Sequence, residues 1–300
     1  MLVLYRVQRR WEDRMFREFP GFLHPGDCLV LNDSRVLPSR LIGRRASAGE
    51  VEVLLVEPAG ADSRTWTALV RPGRKMPTGE RILFGDVEAE IVGRGEFGER
   101  TVRFPEDLNV PEWLEKTGHV PLPPYIKRCD TSEDRERYQT VFARQAGSIA
   151  APTAGLHFTP EILKECEQAG AGIAYVTLHV GLGTFQPVRG DSLHSERFLV
   201  SEGNAAKIRQ AERVLCAGTT SVRAVESMFL GRTGKTDLFI RTGFDFQRTN
   251  AMLTNFHLPQ SSLLTLVCAF AGQDFVLSAY RHAVEAGYRF YSYGDCMLIV

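Results

Sequence analysis

The sequence predicts an α/β protein, a discontinuous mixed α/β domain with an inserted small antiparallel β-barrel domain. Between about Gly49 and Pro105, short β-branched runs are separated by Gly and Pro, which is typical of antiparallel strands in a small barrel or sandwich. From about Tyr138 onward, strand-like and helix-like runs alternate, which indicates an α/β domain. The opening segment has this second texture, so the barrel interrupts the α/β domain. We assign residues 1–42 and 125–300 to the α/β domain and residues 43–124 to the barrel.

The opening run PGDCLVLNDSRVLPSRLIG predicts a strand, a polar break at Asn32–Arg35 and a second strand. The barrel strands follow as VEVLLVE, RTWTALVRPG, RILFG, VEAEIVGRG and ERTVRF. We expect linkers near Leu41–Ala48 and Glu112–Pro124. The run PLPPYIK is interpreted as a rigid joint between domains rather than as a polyproline II ligand.

Helix and strand signals are clearest in the second half of the chain. Thr159 fits an N-cap, Pro160 fits the first helical position, and Gly170 can end that helix. The following run IAYVTLHV predicts a strand, in which alternate residues share a face. Thr177 and His179 therefore point to the same side of the sheet.

Two further strands are predicted to lead into helices. VLCA is a short buried strand, followed by GTTS and the helix VRAVESMF. AMLTNF is another strand, followed by HLPQ and the helix SSLLTLVCAFAG, which is apolar on nearly all sides and should be buried centrally. We expect an amphipathic helix over Asp274–Ala286, closed by Gly287, and a final pair of strands in YRFYSYGDCMLIV.

Composition and charge restrict the class of protein. Of 300 residues, 44% are hydrophobic and 24% are charged, which is ordinary globular composition and sufficient for a sizeable core. The 36 basic residues are balanced by 36 acidic ones. No global basic field marks a nucleic-acid partner, so such a partner would need a local basic patch.

Cysteine usage and hydropathy predict a cytoplasmic protein. None of the six cysteines forms a C-x-x-C pair and most lie in apolar runs, so we expect buried, reduced thiols rather than disulfides or zinc ligands. The N-terminal apolar run is too short for a signal peptide. The most apolar helix candidate, Leu263–Ala271, is far shorter than the roughly 20 residues that a membrane span needs.

Several polar clusters follow predicted strands, and ligands of α/β sheets gather at the carboxyl ends of strands. Gly218–Ser221 opens a helix, where N–H groups, hydroxyls and the helix dipole favour an anion. Arg223, one turn further, adds a fork for carboxylate or phosphate. Ordinary N-capping by Ser221 is the structural alternative.

Three histidines stand at or near predicted strand ends. His157 lies in the loop AAPTAGLHFT, His179 ends a strand before a Gly-rich turn, and His257 follows Asn255 at the end of another strand. A single histidine is more often structural than catalytic, but three in this position indicate a site. Their spacings match no compact metal-ligand motif.

The common nucleotide and hydrolase motifs are excluded. GLGTFQ is not a G-x-G-x-x-G fingerprint, and no acidic residue follows at the distance of a ribose ligand. The sequence has no Walker motif and no G-x-S-x-G elbow.

Taken together, the motifs resemble those of the S-adenosylmethionine:tRNA ribosyltransferase-isomerases, the enzymes of queuosine biosynthesis. The resemblance covers nearly the whole chain from about Pro25 to Val300, and it is weakest in the β region. It rests on long, unusual motifs in the family's order: LNDSRVLPSRL, PLPPYIK, DRERYQTVFA, AAPTAGLHFT, TLHVGLGTFQPV, GTTSVRAVES, TDLFI, LTNFHLPQSSLLTLVCAFAG and YRFYSYGDCMLI.

The resemblance implies the reaction. The family moves the ribosyl part of S-adenosylmethionine onto the aminomethyl group of 7-aminomethyl-7-deazaguanine at the tRNA wobble position, giving epoxyqueuosine, adenine and methionine. S-adenosylmethionine is thus a consumed co-substrate, and no cofactor and no metal are expected. The partners implied are S-adenosylmethionine and tRNA, without a membrane, and we expect a monomer.

The chain departs from the family pattern in two places. It starts where the family already has its first strand, so the usual N-terminal segment is missing, and it is shorter between Val188 and His194.

The implied chemistry assigns roles to the polar residues. The acidic ribose 5′ carbon needs a base and the departing adenine needs a proton, for which the catalytic candidates are His157, His179 and His257. The residues expected to bind substrate are Asp33, Arg35, Tyr125, Thr153, Thr219, Thr220, Ser221, Arg223, Asn255, Tyr293 and Asp295.

Within this set, Thr219–Ser221 and Arg223 suit the methionine carboxylate. Acceptors for the deazaguanine edge are Asp33, Asn255 and Asp295, and Tyr125 or Tyr293 could stack on the base. An aromatic face for the sulfonium is expected from Phe158, Phe185 or Tyr293. Each has a structural alternative: Asp33 could cap the Asn32–Arg35 break, and Tyr293 and Asp295 could form a turn.

Two other functions stay open on the sequence. A non-enzymatic RNA-binding protein is disfavoured by the neutral net charge. A nucleoside hydrolase or phosphorylase is disfavoured because no metal or phosphate motif is recognisable.

Overall fold

The computed structural model describes all residues except 46, 48, 61–62, 96–97, 124, 127 and 182–192, and for Lys75 it describes the backbone alone. The chain forms two compact units. One comprises Met1–Arg35, Gln139–Gln145 and Ala151–Val300, and the other comprises Val36–Tyr138 and Ala146–Ala150.

The described residues form seventeen strands and seven α-helices. The strands are β1 (Leu2–Tyr5), β2 (Arg10–Asp13), β3 (Asp27–Asn32), β4 (Ser34–Val36), β5 (Arg40–Arg45), β6 (Glu50–Pro58), β7 (Thr65–Arg71), β8 (Arg81–Phe84), β9 (Val87–Arg94), β10 (Glu99–Arg103), β11 (Gln145–Ser148), β12 (Gly172–Leu178), β13 (Glu196–Leu199), β14 (Arg213–Ala217), β15 (Lys235–Thr236), β16 (Ala251–Asn255) and β17 (Cys296–Ile299). The helices are α1 (Val110–Thr117), α2 (Ser132–Arg137), α3 (Pro160–Gln168), α4 (Glu202–Gln210), α5 (Thr219–Phe229), α6 (Ser262–Ala271) and α7 (Gln273–Glu285).

A nine-stranded mixed sheet organises the α/β unit, in the order β15-β13-β12-β3-β14-β16-β17-β1-β2. Its centre is parallel, because β12 and β14 both pair in parallel with β3, and β14 pairs in parallel with β16. Strands β13, β15 and β2 add antiparallel edges. The mixed α/β fold is therefore confirmed.

Two apolar clusters cover the two faces of this sheet. Cys28 and Val30 of β3 belong to one cluster, and Leu29 and Leu31 of the same strand belong to the other. This alternation follows from the two-residue period of a strand. A parallel sheet buried on both faces explains why β3 is buried at every position.

Capping residues set the helix starts in this unit. The Thr159 side chain accepts from the N–H of Ile162, and Pro160 occupies the first turn of α3, as predicted. Ser261 caps α6 in the same way. Within the described residues, no single helix is long and apolar enough to cross a membrane; only α6 and α7 meet that test together, as a pair bent by 114°.

The second unit contains a closed antiparallel barrel in the order β10-β7-β6-β5-β8-β9, which confirms the predicted barrel. Its interior is filled by a third apolar cluster that includes Trp66, Met76 and Ile91. The barrel begins earlier than expected, because β5 lies in the segment interpreted as a linker. A side chain at Gly43 would meet Phe84 at 2.7 Å, so the packing of β5 against β8 requires a glycine there.

The boundaries of the units also differ from residues 42/43 and 124/125. Residues 36–42 belong to the barrel unit because they lead into β5, and residues 125–138 belong there because α2 is tied to α1. Arg135 of α2 donates to the carbonyl oxygens of Glu115, at 2.7 Å, and Gly118. The expected linker at Glu112–Pro124 therefore contains most of a helix.

Two smaller predictions are corrected. The last segment forms a turn and the single strand β17, which lies between β1 and β16, rather than a pair of strands. All six cysteines are free and five are buried, as expected, but Cys129 is exposed.

Candidate active site

The parallel strands bring most of the predicted site residues to one edge. Neighbouring strands β12, β3, β14 and β16 end at Leu178, Asn32, Ala217 and Asn255. Because parallel strands share a direction, the residues that follow these four positions lie along the same edge of the sheet. This edge is where open α/β sheets bind ligands.

Asn32 joins three segments of that edge. Its Oδ1 accepts the backbone N–H groups of Ser34 and Leu178, at 3.2 and 3.0 Å. Its Nδ2 donates to the carbonyl of Leu178 at 3.0 Å and to the hydroxyl of Thr220 at 3.1 Å. The amide is 1% exposed and uses both its oxygen and its nitrogen, so it fixes the start of α5 relative to β3 and β12.

Ser34 contacts the first of the predicted histidines. Its Oγ lies 2.9 Å from Nδ1 of His179, which is half-buried. Burial, assisted by the charge of Arg197, lowers the pKa of His179 to about 4. His179 is therefore neutral near pH 7 and able to accept a proton.

Asp33 is buried beside β12, the strand that precedes His179. Thr177 donates to its Oδ1 at 2.6 Å. Burial raises the pKa of Asp33, while the hydrogen bond from Thr177 and the charge of Arg144 lower it in part. The carboxyl bonds across to β12, and both its role toward substrate and its capping of the Asn32–Arg35 break stay predictions.

The first turn of α5 follows a glycine with φ of 95°, a conformation that side chains rarely adopt. Gly218 is the N-cap, without a capping side chain. The alternative that Ser221 caps the helix is wrong, because Ser221 lies inside the helix, is fully buried and donates back to Ala217 O at 2.7 Å. That hydroxyl is occupied, so its expected role as a substrate donor does not fit this geometry.

Arg223 is paired inside the protein. Its Nη1 forms an ion pair with Glu196, and its Nε donates to Leu238 O at 3.0 Å. The other carboxylate oxygen of Glu196 accepts from Gly181 N at 2.9 Å. Part of the predicted fork is thus occupied, but Nη2 is buried and makes no hydrogen bond within the described chain. A role for this nitrogen toward an anion stays a prediction.

The loop that carries His157 is a 3-10 turn over Thr153–His157. The imidazole packs on Phe16 with ring centroids 5.2 Å apart. Burial lowers the pKa of His157, so this ring is also neutral near pH 7. Phe158 is 2% exposed and packs edge-on against Phe16 and Phe19, so its face is not available to a sulfonium as expected.

Asn255 and the C-terminal turn meet at the end of β16. Asn255 Nδ2 donates to the carbonyls of Tyr291 at 2.9 Å and Ser292 at 3.4 Å. Asp295 closes the turn by accepting from Arg289 N at 2.7 Å. Asp295 therefore does stabilise a C-terminal turn, which was the alternative to a substrate role. Substrate binding by its carboxylate stays a prediction.

His257 is the third histidine. Its Nε2 lies 2.8 Å from Thr254 Oγ1, and its backbone N–H donates to Tyr280 Oη at 2.9 Å. Burial lowers the pKa of His257 to about 4. All three predicted histidines are thus neutral, partly buried groups on the same unit.

Other predicted residues are less closely tied to this edge. Tyr125 lies in the barrel unit and Tyr293 is 38% exposed. Thr153 and Arg35 are half-buried on the α/β unit. Phe185, and the stretch from Val188 to Ser192 where the chain is shorter than the family pattern, lie outside the described residues.

The structure adds residues that the sequence alone did not single out. They are Ser34, Thr177, Glu196, Thr254 and Tyr280. A signal existed for Thr177, since strand alternation already placed it on the face of His179. For Glu196 and Tyr280 no local pattern marks the partner, because the contacts join distant segments.

The arrangement provides neutral imidazoles for proton transfer and donors for an anionic group. In the described part of the chain, no three His, Cys, Asp or Glu side chains come together to hold a metal ion.

Comparison with known proteins identifies the family. Residues 1–299 match the family model described as "Queuosine biosynthesis protein". A protein of Solibacter usitatus named S-adenosylmethionine:tRNA ribosyltransferase-isomerase is 58% identical, over 100% of this chain and 92% of its own length. A protein of the same name from Syntrophotalea carbinolica is 45% identical with the same coverage.

A solved structure agrees with these relatives. The crystal structure of S-adenosylmethionine tRNA ribosyltransferase from Thermotoga maritima is 37% identical, with a TM-score of 0.55, and the match covers 100% of this chain and 91% of that one. The chain belongs to the queuosine biosynthesis protein family, whose similar members carry the name S-adenosylmethionine:tRNA ribosyltransferase-isomerase.

Proposed function

We propose that the protein transfers and isomerises the ribosyl moiety of S-adenosylmethionine onto 7-aminomethyl-7-deazaguanine at the tRNA wobble position. The products are epoxyqueuosine, adenine and methionine. The supporting observation is that His179, His257, the start of α5 and the buried Asp33 follow the carboxyl ends of neighbouring strands, with the His157 turn packed against β16. The chain also matches the family over nearly its full length.

The residues of this edge suit the parts of the substrates. Thr219 and Thr220 at the start of α5, with Arg223 Nη2, are donors for the methionine carboxylate. Asp33 and Asp295 accept from the deazaguanine N–H groups, and Tyr293 supplies an exposed ring for stacking. The three histidines are the proton-transfer groups. S-adenosylmethionine is consumed, without a further cofactor, and the protein acts on tRNA as a cytoplasmic monomer.

Adenine release tests the reaction. The protein is incubated with S-adenosylmethionine and either tRNA carrying the deazaguanine precursor, tRNA carrying guanine at the same position, or no tRNA. We expect adenine release only in the mixture that contains tRNA carrying the precursor. The amount of adenine released there should equal the amount of modified tRNA formed. Equal adenine release without tRNA would instead indicate a hydrolase, and binding of tRNA with no adenine release would indicate an RNA-binding protein.

A further inference from the structure

Asn255 is held in one amide orientation at the end of β16. Its Nδ2 faces the carbonyl oxygens of Tyr291 and Ser292, at 2.9 and 3.4 Å. A carbonyl oxygen only accepts hydrogen bonds, so the NH₂ side of the amide must face these atoms and Oδ1 must face away from them. Asn255 is 2% exposed. Its Oδ1 is buried and makes no hydrogen bond within the described chain.

His157 presents the complementary atom. Its Nε2 is buried and likewise lacks a hydrogen-bond partner of good geometry among the described residues. The turn that carries His157 packs against β16, so the two buried atoms without partners lie on segments in contact with each other. A buried polar atom without a hydrogen bond costs free energy, and a hydrogen bond between His157 Nε2 and Asn255 Oδ1 would remove this cost for both atoms.

An amide oxygen selects one tautomer of the ring. Asn255 Oδ1 has no hydrogen to donate, so it interacts favourably only with a protonated Nε2. In neutral imidazole, a proton on Nε2 leaves the lone pair on Nδ1. We propose that Asn255 is a positioning residue that holds neutral His157 as the Nε2–H tautomer and makes Nδ1 the proton acceptor in ribosyl transfer. This role rests on the proposed function, and Asn255 then serves His157 rather than the deazaguanine edge.

The proton transfer balances in charge. The proton leaves the ribose C5′ and binds Nδ1 of His157, and the electron pair stays on C5′ beside the sulfonium. Neutral imidazole becomes imidazolium and the sulfonium becomes an ylide. The imidazolium can later give this proton to the departing adenine.

The charges around His157 favour a neutral starting ring. Burial is the main cause of the lowered pKa of His157. The N-terminal ammonium and Arg289 lower it further, whereas Asn255 and Asp295 raise it in part. Since the net direction is downward, His157 begins the reaction neutral near pH 7.

Nitrogen-15 NMR of the imidazole rings tests the tautomer without turnover. In protein labelled at histidine, with the His157 signals assigned by their loss in His157→Gln, we expect protonated Nε2 and unprotonated Nδ1 at about pH 7.5. In Asn255→Ala the share of the Nδ1–H tautomer should rise. Asn250→Ala is the matched control, because Asn250 precedes the opposite end of β16, where it accepts from Val214 N at 2.8 Å. Protonated Nδ1 in the unaltered protein, or an unchanged Asn255→Ala spectrum, overturns the proposal.

Kinetics separate positioning from a structural role. We expect Asn255→Ala to lower kcat by about 10- to 100-fold, less than the loss of a direct acid–base group, with KM for S-adenosylmethionine nearly unchanged. Asn255→Asp places a carboxylate beside Nε2–H and stabilises the imidazolium, so the acid limb of the pH–kcat profile should move to higher pH. A profile that superimposes on that of the unaltered protein overturns the proposal. If the unaltered protein releases no adenine, the proposed function fails, while the NMR result still decides the tautomer.

Discussion

The side-chain amide of Asn32 donates a hydrogen bond to the hydroxyl of Thr220, with 3.1 Å between Nδ2 and Oγ1. The orientation of the amide is fixed, because its oxygen accepts the backbone N–H groups of Ser34 and Leu178. Thr220 Oγ1 must therefore accept this bond, and its own proton points away from Asn32. The first turn of α5 thus offers that proton at the carboxyl edge of the sheet.

Replacing Thr220 should weaken the binding of S-adenosylmethionine. Thr220→Val removes a hydroxyl proposed to donate to the methionine carboxylate, and a hydrogen bond to a charged group contributes about 1.5–3 kcal/mol. We expect KM for S-adenosylmethionine to rise by at least about tenfold. Initial rates of adenine release measure this change. Thr220→Ser keeps the hydroxyl and should stay near the original KM; an unchanged KM in Thr220→Val would contradict the assignment.

Glu226 is predicted to stabilise the loop before β16. This fully buried carboxylate accepts from the backbone N–H groups of Gln247, Arg248 and Thr249 and from the Thr249 hydroxyl, at 2.6–3.1 Å. Glu226→Gln would turn an amide NH₂ toward these donors and should lower the free energy of unfolding by about 2–3 kcal/mol.

Urea unfolding measures this loss, and an exposed pair provides its control. Glu202 is paired with Arg209, but its side chain is 82% exposed. Glu202→Gln should change the free energy of unfolding by less than about 1 kcal/mol. Comparable losses in the two variants would show that the Glu226 hydrogen bonds do not stabilise this loop.

Local patterns in the sequence were sufficient for the two textures of the fold and for several helix starts. Thr159 and Pro160 start α3 because capping depends on neighbouring residues alone. The second strand predicted in the opening run overlaps β5, but β5 belongs to the barrel rather than to the α/β domain. Strand signals alone do not show which sheet a strand joins, and this is why the first boundary differs from residues 42/43.

The sequence predicts where the site residues lie in the sheet, but not which side chains they pair with. Thr220 and Asn255 follow buried strands, and parallel strands bring such positions to one edge. The bond from Asn32 to Thr220 spans 188 residues in sequence, and the pairing of Arg223 with Glu196 depends on how β13 lies in the sheet. Such contacts leave no local pattern, which is why the sequence alone points Arg223 toward substrate and does not reveal its partner Glu196.

His257 should make stability depend on pH. Its pKa is lowered by burial to about 4 in the folded protein, whereas it is about 6.5 in an unfolded chain. As pH falls from about 6.5 to about 4, the unfolded chain binds a proton that the folded protein does not. The free energy of unfolding therefore decreases in this window, by at most about 1.4 kcal/mol per pH unit from this residue.

A variant isolates this contribution. His257→Asn lacks the titrating ring, so it should lose less stability than the unaltered protein between about pH 7.5 and about pH 5. Urea unfolding at the two pH values gives the comparison, and any constant cost of the substitution cancels in the difference. Identical losses in both proteins would mean that His257 is not held neutral by the fold.

Gly294 should be required for the turn that holds Asn255. A Cβ at this position would lie 2.4 Å from the carbonyl oxygens of both Arg289 and Phe290, and these are backbone atoms that cannot move aside cheaply. Gly294 N also donates to Tyr291 O at 3.1 Å, the same oxygen that accepts from Asn255 Nδ2. Gly294→Ala must therefore displace the turn, which should release the Asn255 amide from its fixed orientation.

We expect Gly294→Ala to lower the free energy of unfolding by about 1–3 kcal/mol, as overpacking of a tight site does, and to reduce adenine release even at temperatures where the protein stays folded. Gly203→Ala is the matched control, because Gly203 lies in α4 and nothing stands within 4 Å of an added Cβ. That control should be neutral or gain about 0.5–1 kcal/mol, since alanine favours the helix. If Gly294→Ala were as stable and as active as Gly203→Ala, the turn would not be what holds Asn255 beside His157.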